Sequence, residues 1–226
     1  MLSKCLLFKQ YLNFMNKLKQ KDVFLNSEGD KWFYRNKDSL ENNSLENDYL
    51  FKEIISVFPE IELEINILEI GCGNGKRLKE LQKRGFTVTG IDPSSAAIED
   101  AKKNGVNALV GTADELKFPK KSFDVIIFGF CLYLCDREDL FQIASEANRV
   151  LNDNGHIFIL DFYSKREIAN NYHHLEGIKS YKMDYRKLFE WHPNYLLIKH
   201  TVGSHQGFRP TNDENEWVAI SVFQKL

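Results

Sequence analysis

The chain has 226 residues, 30 of them basic and 32 acidic, so its formal net charge of −2 excludes a global electrostatic footprint for nucleic acid or an anionic membrane. A hydrophobic share of 43% with 13% aromatic residues suffices for one substantial core, and Cys5, Cys72, Cys131 and Cys135 are spaced neither as a zinc site nor as a disulfide framework. Lys4, Lys9 and Gln10 interrupt Met1 to Lys19 before any apolar run long enough for a signal core or a membrane span, so a cytoplasmic protein is expected.

Residues 1–45 are expected to form a helical N-terminal appendage, for which Met15 is an alternative start, and the polar run Ser39 to Asp48 a loop to the main domain, residues 46–226. Leu50, Phe51, Ile54, Ile55 and Phe58 recur at helical spacing until Pro59 ends the run. Strands and helices then alternate. Ile65 to Ile70 reads as a strand, Lys76 to Arg84 as a helix closed by Gly85, Thr87 to Ile91 as a strand, and Ser94 to Asn104 as a helix closed by Gly105. Short strands at Ala108 to Val110 and Phe123 to Phe128 follow, the second apolar enough to be buried on both faces. A helix from about Arg137 to Leu151 precedes a turn at Asn154-Gly155 and a strand from His156 to Phe162. After an insertion at about 163–193, Tyr195 to Val202 and Trp217 to Phe223 are two β-rich runs that should pair as an antiparallel hairpin at one sheet edge. The pattern predicts a doubly wound, Rossmann-like α/β fold, mostly parallel, with helices on both faces.

Gly71, Gly73 and Gly75 follow the first strand and open a helix, where missing side chains let a ligand approach the backbone. A dinucleotide fingerprint would put its third glycine where Lys76 stands, so the spacing disfavours NAD. Glu69, a carboxylate within an apolar strand, calls for a positive partner, and a ligand ammonium such as that of S-adenosylmethionine would supply one. Asp92, at the tip of the second strand, is placed to accept hydrogen bonds from ribose hydroxyls.

Ile67 to Gly75 (ILEIGCGNG) resembles the first motif of class I S-adenosylmethionine-dependent methyltransferases, of the type 11 or UbiE-like kind; Gly90 to Ser94, Gly111 to Phe118 and Phe123 to Gly129 resemble three further segments in the expected order. The resemblance implies S-adenosylmethionine as cofactor, with S-adenosylhomocysteine as product. It places Cys72 in the glycine loop, Pro93 on the adenine ring, the Ala113 backbone at the adenine edge and the Phe128 backbone by the methionine amine. The family usually carries aspartate where this chain has Thr112, so Asp114 is the candidate for the adenine amine.

Ser27 to Lys37 resembles the N-terminal covers of methyltransferases associated with bacterial surface-sugar pathways. On that reading Trp32 to Lys37 folds over the cofactor with Arg35 near its carboxylate. The acceptor is then expected above the strand ends, near Tyr133, where many relatives have histidine, and His173 and His174 in the aromatic insertion are the candidate bases. A small polar acceptor such as a sugar or sugar nucleotide is the leading expectation, with no nucleic acid, membrane or metal and an open oligomeric state. A tRNA or protein methyltransferase and a non-catalytic cofactor-binding module are the alternatives.

Overall fold

The computed structural model describes residues 19–42, 44, 47–59 and 64–226. Cys5, Met15 and the expected domain boundary at residue 45 lie outside them. Five parallel strands, β1 (Asn66–Ile70), β2 (Thr87–Asp92), β3 (Asn107–Val110), β4 (Phe123–Gly129) and β5 (Leu151–Phe162), join two antiparallel ones, β8 (Tyr195–Ser204) and β9 (Trp217–Lys225), in the order β3-β2-β1-β4-β5-β9-β8. The terminal hairpin therefore forms as its sequence suggests, with β9 lying between β5 and β8.

Successive residues of a strand point to opposite faces, and β4 shows why its run is unbroken. Val125 and Ile127 enter one core with α3 (Tyr49–Val57), α4 (Lys76–Lys83) and α5 (Ser95–Lys103). Ile126 and Phe128 enter the other with α6 (Leu140–Val150). All four side chains are fully buried, so helices cover both faces. Caps fix where two of these helices start: Asp48 accepts the Phe51 N–H and Ser94 accepts the Ala97 N–H.

Several boundaries shift. Arg137–Asp139 is a 3-10 turn ahead of α6, and β5 begins at Leu151, opposite Phe123, rather than at His156. Asn154-Gly155 is an irregularity inside that strand, with Asn154 at φ 64°, because the ladder resumes at His156 beyond it. Ser39–Asn42 extends a helix instead of forming a loop. That helical segment is α1 (Gln20–Val23), a π-turn at Phe24–Glu28 and α2 (Gly29–Asn42). The insertion builds a separate two-stranded sheet, β6 (Ile168–Asn171) with β7 (Lys179–Lys182).

Candidate cofactor and acceptor cleft

One cleft of about 880 Å³ opens above the carboxyl ends of the parallel strands, where an α/β sheet of this winding places ligands. Its floor is the turn after β1. Gly71 sits at φ 76°, and a Cβ there would meet the Cys131 side chain at 2.6 Å; Gly73, at φ 52°, faces open space. Four of the loop's N–H groups are engaged inside the protein. Gly71 and Cys72 give their N–H groups to the Ile91 carbonyl, Gly73 to Asp92, and Gly75 to the Cys72 carbonyl. The loop therefore grants close approach but no row of free donors for a phosphate, which strengthens the case against a dinucleotide.

Glu69 is buried on this wall, but its partner is internal. Arg77 on α4 donates to one carboxylate oxygen and, through Nε, to Asp48 at 2.7 Å. The second oxygen, Oε2, has no hydrogen-bond partner. Burial pushes the Glu69 carboxyl up to about 7 against the pull of Arg77. The positive partner that Glu69 calls for is thus supplied in part by the protein itself, while its unpartnered atom still asks for a donor.

Asp92 accepts the Gly73 N–H at 3.0 Å on one oxygen and the Ser94 N–H at 2.8 Å on the other. Each oxygen keeps a lone pair for a ligand hydroxyl. Desolvation raises this carboxyl to about 6. Pro93, Thr112, Ala113 and Asp114 line the same cleft, but Asp114 is ion-paired to Lys21 of the appendage, which holds its carboxyl below the usual value once burial is offset.

The expected contact of Phe128 is through its backbone; its side chain lies in the core, and Gly129, the last residue of β4, lines the cleft wall beside it. Three expected residues stand elsewhere. Arg35 points away: its guanidinium donates to buried Glu28 and to the Tyr172 hydroxyl. Helical spacing instead turns Trp32, Asn36 and Leu40 of α2 to the cleft. His173 and His174 are exposed and line a separate pocket of about 210 Å³, which touches the main cleft through Tyr133 and Phe162. Tyr133 is in the cleft as expected, its phenol pushed up by burial.

Two further residues shape the acceptor end of the cleft. Asp161, buried at the end of β5, accepts the N–H groups of Leu132, Tyr133 and Phe162 and so fixes the loop after β4; its carboxyl is pushed up to about 7 by burial. His205, in the turn between β8 and β9, lines the main cleft beside Phe130 and Phe162. A turn between two β-rich runs was the available signal for it, but nothing local says where that turn points.

Residues 68–159, under half of the chain, match the family model described as a methyltransferase domain. An uncharacterized methyltransferase of Alkaliphilus oremlandii is 32% identical over 130 residues, covering 52% of this chain and 60% of the relative. A ubiquinone biosynthesis O-methyltransferase of Rickettsia canadensis is 38% identical over 120 residues, 50% of this chain and 49% of the relative. The chain thus spans roughly half of these relatives' length. Among solved structures, Burkholderia thailandensis 1,6-didemethyltoxoflavin-N1-methyltransferase, with bound 1,6-didemethyltoxoflavin and S-adenosylhomocysteine, superposes with TM-score 0.70 at 14% identity over 90% of this chain and 88% of its own. A Methanosarcina mazei S-adenosylmethionine-dependent methyltransferase gives 0.60 at 20% identity, over 76% and 97%. The fold is the Rossmann-like one of S-adenosylmethionine-dependent methyltransferases. Within it, residues 68–159 are the part that matches the methyltransferase-domain model.

Proposed function

We propose that the protein is an enzyme that transfers a methyl group from S-adenosylmethionine to a small-molecule acceptor by in-line displacement. The observation that carries this reading is the pair of carboxylates facing one cleft over a side-chain-free loop: Glu69 with an unpartnered buried oxygen, and Asp92 with one open lone pair on each oxygen. Glu69 Oε2 suits the ammonium of the cofactor's methionine end, Asp92 its ribose hydroxyls, and Pro93, Ala113 and Asp114 its adenine. When bound, the cofactor supplies a methyl group already activated on a sulfonium. The chain's own part is to hold the acceptor in line and keep water out, which Trp32, Asn36 and Leu40 of α2 support by walling the open side.

Within this reading a sugar or sugar nucleotide is the acceptor class that the N-terminal resemblance suggests, and a cytoplasmic setting is its natural complement. Among the described residues no helix is long and apolar enough to cross a membrane. Titration calorimetry with S-adenosylmethionine, S-adenosylhomocysteine and NAD tests the cofactor: one S-adenosyl ligand per chain and no NAD is expected. Labelled methyl transfer to a pooled small-metabolite extract tests turnover. Binding without transfer to any fraction would instead indicate a non-catalytic module.

A further inference from the structure

One part of the cleft wall is built of rings. Tyr133 and Phe162 lie 5.0 Å apart between centroids, Phe130 and Phe162 5.3 Å. His205 closes the group, 5.4 Å from Phe162 at an interplanar angle of 30° and 5.5 Å from Phe130. Phe208 and Tyr49, stacked at 5.1 Å, line the same cleft.

Two of these rings are held at a backbone cost. Phe130 has φ 54° and Phe208 φ 46°, a region bulky side chains avoid. Both backbones are pinned, Phe130 N–H to the Leu160 carbonyl at 2.8 Å and Phe208 N–H to the Ser204 carbonyl at 3.1 Å. Of the four non-glycine residues with positive φ among those described, these two alone are aromatic, and both line the cleft. Strain of this kind persists where the surroundings over-determine it, and it concentrates at ligand sites.

Charge narrows the ligand further. The cations on the cleft wall are already engaged: Lys21 by Asp114 and Asp139, Arg77 by Glu69 and Asp48, and Lys76 by the Leu40 and Glu41 carbonyls. A nucleoside diphosphate or a long-chain carboxylate would find no unpaired cation among them. The Ser204 hydroxyl is likewise spent, donating to the Gln206 carbonyl. What the chamber offers is π-faces, edges and one imidazole.

We infer that this chamber binds a neutral, planar hydroxylated aromatic acceptor, stacked among Phe130, Phe162 and Phe208, and that His205 accepts the proton of its hydroxyl as the methyl group is transferred. The balance is simple. The oxygen–carbon bond forms as the sulfur–methyl bond breaks, its electron pair stays on sulfur to give the neutral thioether, and the hydroxyl proton goes to an imidazole nitrogen. This rests on the methyltransferase reading above, and it replaces the sugar expectation with a different acceptor class.

The test uses the full chain saturated with S-adenosylhomocysteine and three probes, catechol, 2-naphthol and 2,3-dihydroxynaphthalene, with UDP-glucose and decanoate as competitors. Calorimetry should show at least one aromatic probe binding more tightly than either competitor. Phe130→Gly and Phe208→Gly remove a ring while relieving the left-handed backbone, so S-adenosylhomocysteine binding should persist while probe affinity falls at least about tenfold. With S-adenosylmethionine, His205→Ala should keep probe affinity within about threefold, lose about 10²–10⁴ in transfer rate and recover part of it with added imidazole. Preferential binding of UDP-glucose or decanoate, or of no aromatic probe, overturns the acceptor class. Unchanged probe affinity in both glycine variants overturns the chamber, and a full rate without rescue in His205→Ala overturns the proton acceptor. If S-adenosylhomocysteine itself does not bind, the methyltransferase reading fails first, and the two failures are told apart at that step.

Discussion

Asp92 shapes the turn and lines the cleft, holding the Gly73 and Ser94 N–H groups from the tip of β2. Asp92→Ala should therefore weaken S-adenosylmethionine binding by roughly 1–3 kcal/mol, measured by calorimetry, because charge-assisted hydrogen bonds to the ribose are lost. An unchanged affinity would remove Asp92 from the ribose site. Arg77 is the second residue on which the site turns. Removing its side chain leaves Glu69 and Asp48 without their shared cation, and Arg77→Ala should cost about 3–5 kcal/mol in chemical unfolding. The double variant Arg77→Leu with Glu69→Leu should lose less, because only the partly exposed Asp48 is left without its cation. Glu69 and Asp92 were legible in the sequence because each is a carboxylate bordering an apolar strand and a glycine turn. Arg77 and Asp48 were not, since only the packing of α4 and α3 against the end of β1 brings them to Glu69.

The appendage docks through specific pairs as well as an apolar cluster in which Val23, Phe24 and Trp32 meet Leu134, Tyr172, Leu175 and Ile178. Asp30 accepts the Ser94 hydroxyl at 2.7 Å and the Ala96 N–H at 3.0 Å, so α2 helps cap α5. Lys37 pairs with Asp100, and Glu28, Arg35 and Tyr172 tie the appendage to the insertion. Asp30→Ala should lower stability by about 1 kcal/mol through loss of that capping contact, as read from thermal unfolding. Deleting residues 1–37 removes Trp32 and Asn36 from the cleft and should abolish S-adenosylmethionine binding while the remaining chain still unfolds cooperatively. A deletion variant that binds normally would show that α2 is not a cover. The sequence revealed the aromatic residues of this segment but not which side of the helix lines the cleft. A helix's rotation is set by its partner, here α5 through Asp30, and no local pattern encodes that. The strands β6 and β7 were missed for a related reason: Ile168–Asn171 is exposed throughout, so it carries no alternation of apolar and polar residues.

Across the molecule, three recessed carboxylates share one direction of shift: Glu69 to about 7, Asp92 to about 6 and Asp161 to about 7, each raised mainly by burial. A carboxyl raised in the folded state binds protons that the unfolded chain does not, so its burial penalty is relieved as pH falls through the folded value. His156 and His200, lowered mainly by burial, act the opposite way as they approach their unfolded value. The ligand-free protein should thus melt higher at about pH 6 than at about pH 7.5. Binding should run the other way, since protonated Asp92 is a poorer acceptor for ribose, and S-adenosylhomocysteine affinity should fall below about pH 6. A melting temperature independent of pH in this range would contradict the first expectation, and a flat affinity the second. The parallel half of the sheet was legible because each strand is followed by a helix with an apolar stripe. The acceptor end was legible only in part: the loop after β4 and the end of β5 follow from the strand order, whereas the turn after β8 joins them only in three dimensions. That assembly has a consequence for how the protein is made. Strand β8 leaves the ribosome before β9, yet β9 is the neighbour that joins it to the sheet. A nascent chain halted before residue 217 already holds Glu69, the glycine loop and Asp92. The β8–β9 turn that carries His205 and Phe208 still lacks its anchor at that stage, so the capacity to grip the methyl donor should arise earlier in synthesis than the capacity to select what receives the methyl group.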